Sequence, residues 1–171
     1  VTVNRPNAPQ KGKITVAKTG EVFTTVIENG GVYQPVYEVK GLPGAGYEIT
    51  AAEDIVTPDG TLRYAKGTAV DTITTGADGT AASKALYLGR YGIREITAPY
   101  GMVLNEEIHT AELTYAGQEV EITETAAAFY NERQKARIGL SKVMERDETF
   151  GIGTNGEILS VRFGLYAAED M

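Results

Sequence analysis

The sequence predicts an all-β chain folded as an antiparallel sandwich or barrel. Three observations carry this expectation. Val, Ile and Thr number 14, 12 and 20 of the 171 residues, and ten tyrosines join them, a mix that suits a pleated, half-buried surface. Twenty glycines and six prolines break the chain at short intervals, as turns require. Between them, apolar and polar residues alternate over short runs, and no long run repeats at the helical period.

The elements follow in order. Ile14, Val16 and Lys18 alternate with Lys13, Thr15 and Ala17, the period-two pattern of a first strand. Val22 to Ile27 is a second run, ended by the turn pair Asn29-Gly30, and Tyr33 to Lys40 is a third, so Thr19 to Lys40 reads as an added hairpin. Leu42-Pro43-Gly44 closes it, Tyr47 to Ala52 follows, and Pro58-Asp59-Gly60 is a strong turn signal. Val70 to Thr74, Leu86 to Leu88, Tyr91 to Thr97, His109 to Tyr115 and Glu119 to Phe129 complete the strands. Ala116-Gly117-Gln118 predicts a hairpin between the last two, and Ala81 to Ala85 one helical turn. The expected core is Ile14, Val16, Tyr47, Ile49, Ile93, Val120, Ile122 and Phe129.

Composition excludes several functions. Sixteen Lys and Arg against twenty-three Asp and Glu leave a net charge of −7, which repels phosphate backbones and anionic membrane surfaces. No nucleic-acid partner and no membrane insertion are therefore expected, and no apolar run approaches the roughly 20 residues of a spanning helix. The absence of Cys removes disulfides, thiolate catalysis and Cys-ligated metals. With His109 the single histidine, a Ser-His-Asp triad and a His-based metal centre find no support. Val1 stands where a start Met would, and no signal segment follows, so the chain reads as a piece of a longer protein.

An internal echo divides the chain. Ile14-Thr-Val-Ala-Lys18 returns as Ile138-Gly-Leu-Ser-Lys142, and the Ala-Ala-Glu-Asp of residues 51–54 returns at 167–170. The expected organisation is an extension over 1–11, a β-domain over 12–134, and over 135–171 the first strands of a second copy, including one from Phe163 to Ala168.

Several segments appear in a fixed order: Gly12-x-Ile14-x-Val16-x-Lys18, Leu42-Pro-Gly-Ala-Gly-Tyr-Glu-Ile, Thr74-Thr-Gly-Ala-Asp-Gly79, and the run from Leu88 to Gly101 that contains Gly-x-Tyr-x-x-x-Glu-x-x-Ala-Pro-x-Gly, with Phe129-Tyr-Asn131 at the close. This set resembles the B-type repeat of Gram-positive collagen adhesins, the SpaA-type pilin domain, over roughly Lys11 to Arg133. The resemblance implies a prealbumin-like, immunoglobulin-like antiparallel β-sandwich repeated in tandem on a bacterial surface. It also implies a spontaneous isopeptide bond from a first-strand Lys to a last-strand Asn, promoted by a middle-strand Glu. The matching positions are Lys18, Asn131 and Glu95.

The chemistry of those residues fits their parity. Lys18 shares a strand face with Ile14 and Val16, where low dielectric disfavours the cation and exposes a nucleophilic amine. Asn131 lies two residues after Phe129 and offers its amide carbon as the electrophile. Glu95 lies two after Ile93, where a carboxyl can polarise the amide oxygen and carry the lysine proton to departing ammonia. Lys13, the rival lysine, falls on the opposite face. Taken singly, each has a plainer reading that prevails: Lys18 as a strand-end lysine reaching water, Glu95 as a partner of an outward Arg94 or Lys, and Asn131 as a turn residue; order and inward parity together favour the triad.

Weaker signals carry less. Gly151-Ile-Gly153-Thr-Asn-Gly156 matches a dinucleotide fingerprint in letters alone, without the strand, helix and acidic residue that would surround it. His109 is expected to be a solvated strand residue. Tyr33, Tyr37, Tyr64, Tyr87 and Tyr91 offer either a sugar-binding face or cross-strand packing. The expected function is a stalk or adhesin repeat, extracellular and attached to the cell wall, with neighbouring repeats as partners. It is not an enzyme beyond one self-linking event, and it needs no cofactor or metal. A module binding a host extracellular protein or glycan is the alternative.

Overall fold

The structure is a computed structural model that describes residues 8–153 and 161–166. Eleven strands form among them: β1 Lys11–Asn29, β2 Val32–Gly41, β3 Gly46–Ala51, β4 Ile55–Val56, β5 Leu62–Tyr64, β6 Ala69–Thr74, β7 Thr80–Ala82, β8 Leu86–Tyr87, β9 Gly89–Thr97, β10 Ile108–Leu113 and β11 Ile122–Asn131. No helix among the described residues is long and apolar enough to cross a membrane. The chain divides into two compact units, 1–134 and 135–171.

The first unit is a two-sheet sandwich. One sheet has the order β11-β1-β2, with β7 and β8 also on β1, and the other has the order β10-β9-β3-β6. Their inner faces meet in one core that includes Ile14, Val16, Leu86 and Phe129 from the first sheet and Tyr47, Ile49, Tyr91, Ile93 and Leu113 from the second. Burying each such side chain stabilises the fold by about 1.5–3 kcal/mol. The alternation read in the sequence is therefore the alternation of the pleat.

β1 organises the sheet. Its first half is buried at every second residue, and its second half is largely exposed. From Thr19 to Asn29 it pairs antiparallel with β2, the added hairpin, which turns through Gly30 and Gly31 at φ 61° and 81°. On the first half, β11 lies on one side, while β8 and β7 lie on the other.

Three local expectations give way here. β10 and β11 are not a hairpin: β10 pairs with β9 in one sheet, and β11 pairs with β1 in the other. That second pairing is parallel, from Lys11 opposite Ile122 to Gly20 opposite Asn131, so the sandwich is not wholly antiparallel. The connection between β10 and β11 crosses from sheet to sheet. There the Gln10 side chain accepts from Ala116 N–H at 3.0 Å and donates to Gly117 O at 3.1 Å. For the same reason Val120 and Ile122 are exposed rather than in the core, because they precede the point at which β11 enters it. Ala81 to Ala85 forms no helical turn. Thr80 to Ala82 fills the second edge of β1, and Ser83 brackets Ile14, its N–H donating to Ile14 O at 2.9 Å and its Oγ accepting from Ile14 N–H at 3.0 Å.

In the second unit, none of the described residues belongs to a strand. One antiparallel bridge joins Asp147 and Ile152, and Asp147 Oδ1 accepts from the N–H of Thr149 at 2.9 Å and of Phe150 at 3.2 Å. The strand expected over Ile138 to Lys142 is thus unpaired. Of the strand expected from Phe163, residues 163–166 are unpaired too. The rest of that strand, the Ala-Ala-Glu-Asp echo at 167–170, residues 1–7 of the N-terminal extension and residues 154–156 of the glycine string lie outside the described residues.

Candidate functional site

Lys18, Glu95 and Asn131 meet inside the first unit. They arrive from three strands and both sheets: Lys18 from β1, Asn131 from β11 and Glu95 from β9. Their exposures are 0%, 1% and 2% respectively, which excludes solvent as the partner of any of them. Parity puts them there. Each lies two residues beyond a core residue of its own strand, namely Val16, Phe129 and Ile93.

The backbone at Lys18 is fixed on both sides. Its N–H donates to Gly79 O at 2.8 Å, and its C=O accepts from Leu42 N–H at 2.9 Å. This close approach requires glycine: a Cβ on Gly79, at φ 79°, would stand 2.5 Å from Lys18 O, and one on Gly41 would stand 2.0 Å from Asp78 O. The Thr74-Thr-Gly-Ala-Asp-Gly79 segment therefore braces the lysine from behind.

At the centre, Lys18 Nζ lies 3.0 Å from Glu95 Oε1 and donates to Asn131 Oδ1. Asn131 Nδ2 donates to both Glu95 oxygens at 2.9 Å. Burial pushes the pKa of Lys18 below the ordinary lysine value, while the hydrogen bond and charge of Glu95 pull it back. An amine, an amide and a carboxyl are thus held together in a dry site, where proximity replaces encounter.

Two further groups reach the site: one carries no sequence signal, and the other reads from the sequence only as a core residue. Asn105, in the β9–β10 loop, donates its backbone N–H to Glu95 Oε2 at 2.8 Å. A main-chain donor has no residue type to read. Tyr47, opposite Glu95 in the β3–β9 register, is fully buried with its ring 4.7 Å from that of Phe129. Among the described residues its hydroxyl is the buried side-chain polar atom without a hydrogen-bond partner. Burial, and secondly the charge of Glu95, push its pKa above the ordinary tyrosine value.

The other candidates do not gather. Lys13 is half-buried on the face opposite Lys18. His109 is not simply solvated: its ring packs 4.3 Å from Phe129. The five tyrosines share no one surface, since Tyr91 is in the core, Tyr64 packs on Tyr87 at 5.7 Å, Tyr37 lies under Arg133, and Tyr33 is exposed. No group of three or more His, Asp or Glu among the described residues could hold a metal ion.

No curated protein matches the chain. Among solved structures, the minor pilin GBS52 of Streptococcus agalactiae is similar at 15% identity and a TM-score of 0.48, covering 78% of this chain and 49% of that one. The major pilin SpaD of Corynebacterium diphtheriae is similar at 19% identity and a TM-score of 0.47, covering 76% and 32%. The Bacillus anthracis TIE protein is similar at 22% identity and a TM-score of 0.43, covering 72% and 17%. The chain thus spans less than half the length of each. Residues 36–126, more than half of the chain, match the SpaA family, described as a prealbumin-like fold domain. That span contains Glu95 and stops short of Lys18 and Asn131 at either end. By this match the chain belongs to the SpaA family of prealbumin-like fold domains.

Proposed function

We propose that this domain is a stalk repeat of a Gram-positive cell-surface protein, of the pilin kind, closed by an isopeptide bond between Lys18 and Asn131 that Glu95 promotes. The observation that carries the reading is the burial of all three side chains within hydrogen-bond reach of one another. Burying a lysine is costly to desolvate, and its pairing with a buried carboxyl need not return that cost. A reactive amine needs that desolvation.

The reaction balances with the residues present. Lys18 begins as an ammonium and passes one proton to the Glu95 carboxylate. Nζ then attacks Cγ of Asn131, and the new C–N bond forms as the bond from Cγ to Nδ2 breaks. A second Nζ proton moves through Glu95 to Nδ2, which leaves as ammonia. Of the protons on Nζ and Nδ2, one stays on the linking nitrogen, three leave with ammonia and one remains on Glu95. A groove lined by Leu104, Asn105, Tyr130 and Asn131 gives ammonia a way out. No cofactor enters, and the event happens once per chain, so the domain is not an enzyme with turnover.

Such a bond joins residues 113 apart. By analogy with a disulfide, closing that loop restricts the unfolded chain by about 4–5 kcal/mol. Intact mass tests the proposal directly. The folded chain is expected to be one ammonia lighter than its sequence, and a folded chain of unmodified mass would sink the bond.

A second reading rests on the β1–β2 hairpin, which exposes Phe23, Val26, Ile27, Val32, Tyr33 and Val39. In this reading, the hairpin engages a host extracellular protein or glycan. Binding to matrix proteins or a glycan array, lost when the hairpin is shortened, would favour it over a pure spacer.

A further inference from the structure

The β9–β10 loop grips both the electrophile's strand and the carboxyl that serves it. Past Asn131, Met102 bridges to Arg133, Val103 N–H donates to Glu132 O at 2.9 Å, and Gln134 N–H donates to Gly101 O at 2.9 Å. Two residues beyond Val103, the Asn105 N–H reaches Glu95 Oε2 at 2.8 Å. Asn105 Oδ1 accepts from Glu107 N–H at 3.0 Å, an exposed contact within the loop and separate from the backbone donor.

We propose that Asn105 is a positioning residue for the cross-link: its backbone N–H holds Glu95 Oε2 as an acceptor and leaves Oε1 as the oxygen that moves the proton. This rests on the isopeptide reading above. The two oxygens are not equivalent. Oε1 faces Lys18 Nζ at 3.0 Å and Asn131 Nδ2 at 2.9 Å, the source of the proton and its destination. Oε2 faces Asn131 Nδ2 at 2.9 Å and the Asn105 N–H. A backbone N–H only donates, so an oxygen already accepting it is a poor seat for a further proton. The proton taken from Nζ therefore settles on Oε1 and passes from there to Nδ2. The terminal torsion of a glutamate is soft. Without the Asn105 donor the carboxyl can turn, and Oε1 is no longer kept between the two nitrogens.

The test is a time course of ammonia loss, read by intact mass during cell-free synthesis of the full chain. Asn105→Ala keeps the N–H and is expected to link within about two-fold of the parent rate. Asn105→Pro removes the N–H and is expected to link roughly ten-fold more slowly or worse, a part of the gain that positioned proton transfer supplies. Equal slowing of both variants would mean that loop shape, not the donor, matters, and would overturn the proposal. A proline variant that links at the parent rate overturns it while leaving the bond intact. An unlinked parent chain overturns the bond itself. Melting of Asn105→Pro in an Asn131→Ala background, where no link can form, reports whether the proline disturbs the fold. Deuterium exchange adds a readout independent of that substitution: the Asn105 amide of the parent chain should exchange slowly, and a fast-exchanging amide overturns the proposal even if Asn105→Pro does not fold.

Discussion

Ile14–Lys18 and Ile138–Lys142 carry the same spacing of apolar residues before a lysine, yet the two runs end in opposite surroundings. Ile14, Val16 and Lys18 are wholly buried. Ile138 and Leu140 are 64% and 68% exposed, and Lys142 is exposed as well. The difference lies in the neighbours. The first run has β11 on one side, β7 on the other, and a second sheet facing it. The second run has no paired strand among the described residues of its unit. A lysine at the end of an alternating run becomes a chemical group only when other strands desolvate it.

The largest effect expected on this contrast comes from Glu95→Ala. It removes the proton carrier while sparing most of the core, so linking should slow by about 10²–10⁴-fold, and the chain should fold with a lower melting temperature. Full linking in this variant, seen by intact mass, would separate burial from reactivity and refute the role given to Glu95. Next is amine labelling. An acylating reagent followed by peptide mapping should modify Lys142 readily and Lys18 not at all. A protected Lys142 with a covalent partner inside residues 1–171 would erase the contrast and move the domain boundary.

Paired truncations measure the packing behind the contrast. Ile14→Ala should cost about 2–5 kcal/mol in denaturant unfolding, whereas Ile138→Ala should change stability by no more than about 0.5 kcal/mol. Equal costs would mean that the second run is buried in solution. The smallest effect concerns Tyr47. Removing its unpartnered hydroxyl in Tyr47→Phe leaves no buried polar group unmet, so stability should hold or rise by about 1 kcal/mol. The pH dependence has a definite sign. The Tyr47 pKa is raised in the fold, so its contribution is level below the ordinary tyrosine value near 10 and is lost as pH climbs above it. Tyr47→Phe should therefore resist alkaline unfolding better than the parent, and a parallel loss in both would show that this hydroxyl is not held neutral.

Much of the site was legible because strand parity is local. Val16 to Lys18, Ile93 to Glu95 and Phe129 to Asn131 are each a step of two, and a step of two keeps a side chain on its face. The β1–β2 hairpin was equally local, marked by Asn29-Gly30. Pairing was not legible. The place of β11 depends on which edge of β1 remains open after β7 and β8 have taken the other, and its direction on the end at which the crossover delivers it; nothing within Ile122–Asn131 encodes either. Val120 and Ile122 misled for a related reason: Val120 lies in the crossover and Ile122 opens β11 before it enters the core, and an apolar residue type does not mark either place. Asn105 was out of reach altogether, because its contribution is a main-chain N–H that any residue but proline would supply.

The parallel pairing of β1 with β11 also sets how this unit answers a pull. The chain enters the ladder at Lys11, beside Ile122, and leaves it at Asn131, beside Gly20. Entry and exit therefore sit at opposite ends of one ladder, about 30 Å apart at the usual rise per residue. Tension between them slides the two strands along each other, so every rung resists at the same moment. Strands that entered and left at one end would instead peel apart rung by rung, at far lower force. The topology is thus built for shear, with Lys18 and Asn131 near the exit end, where a covalent rung would stop the slide before it starts.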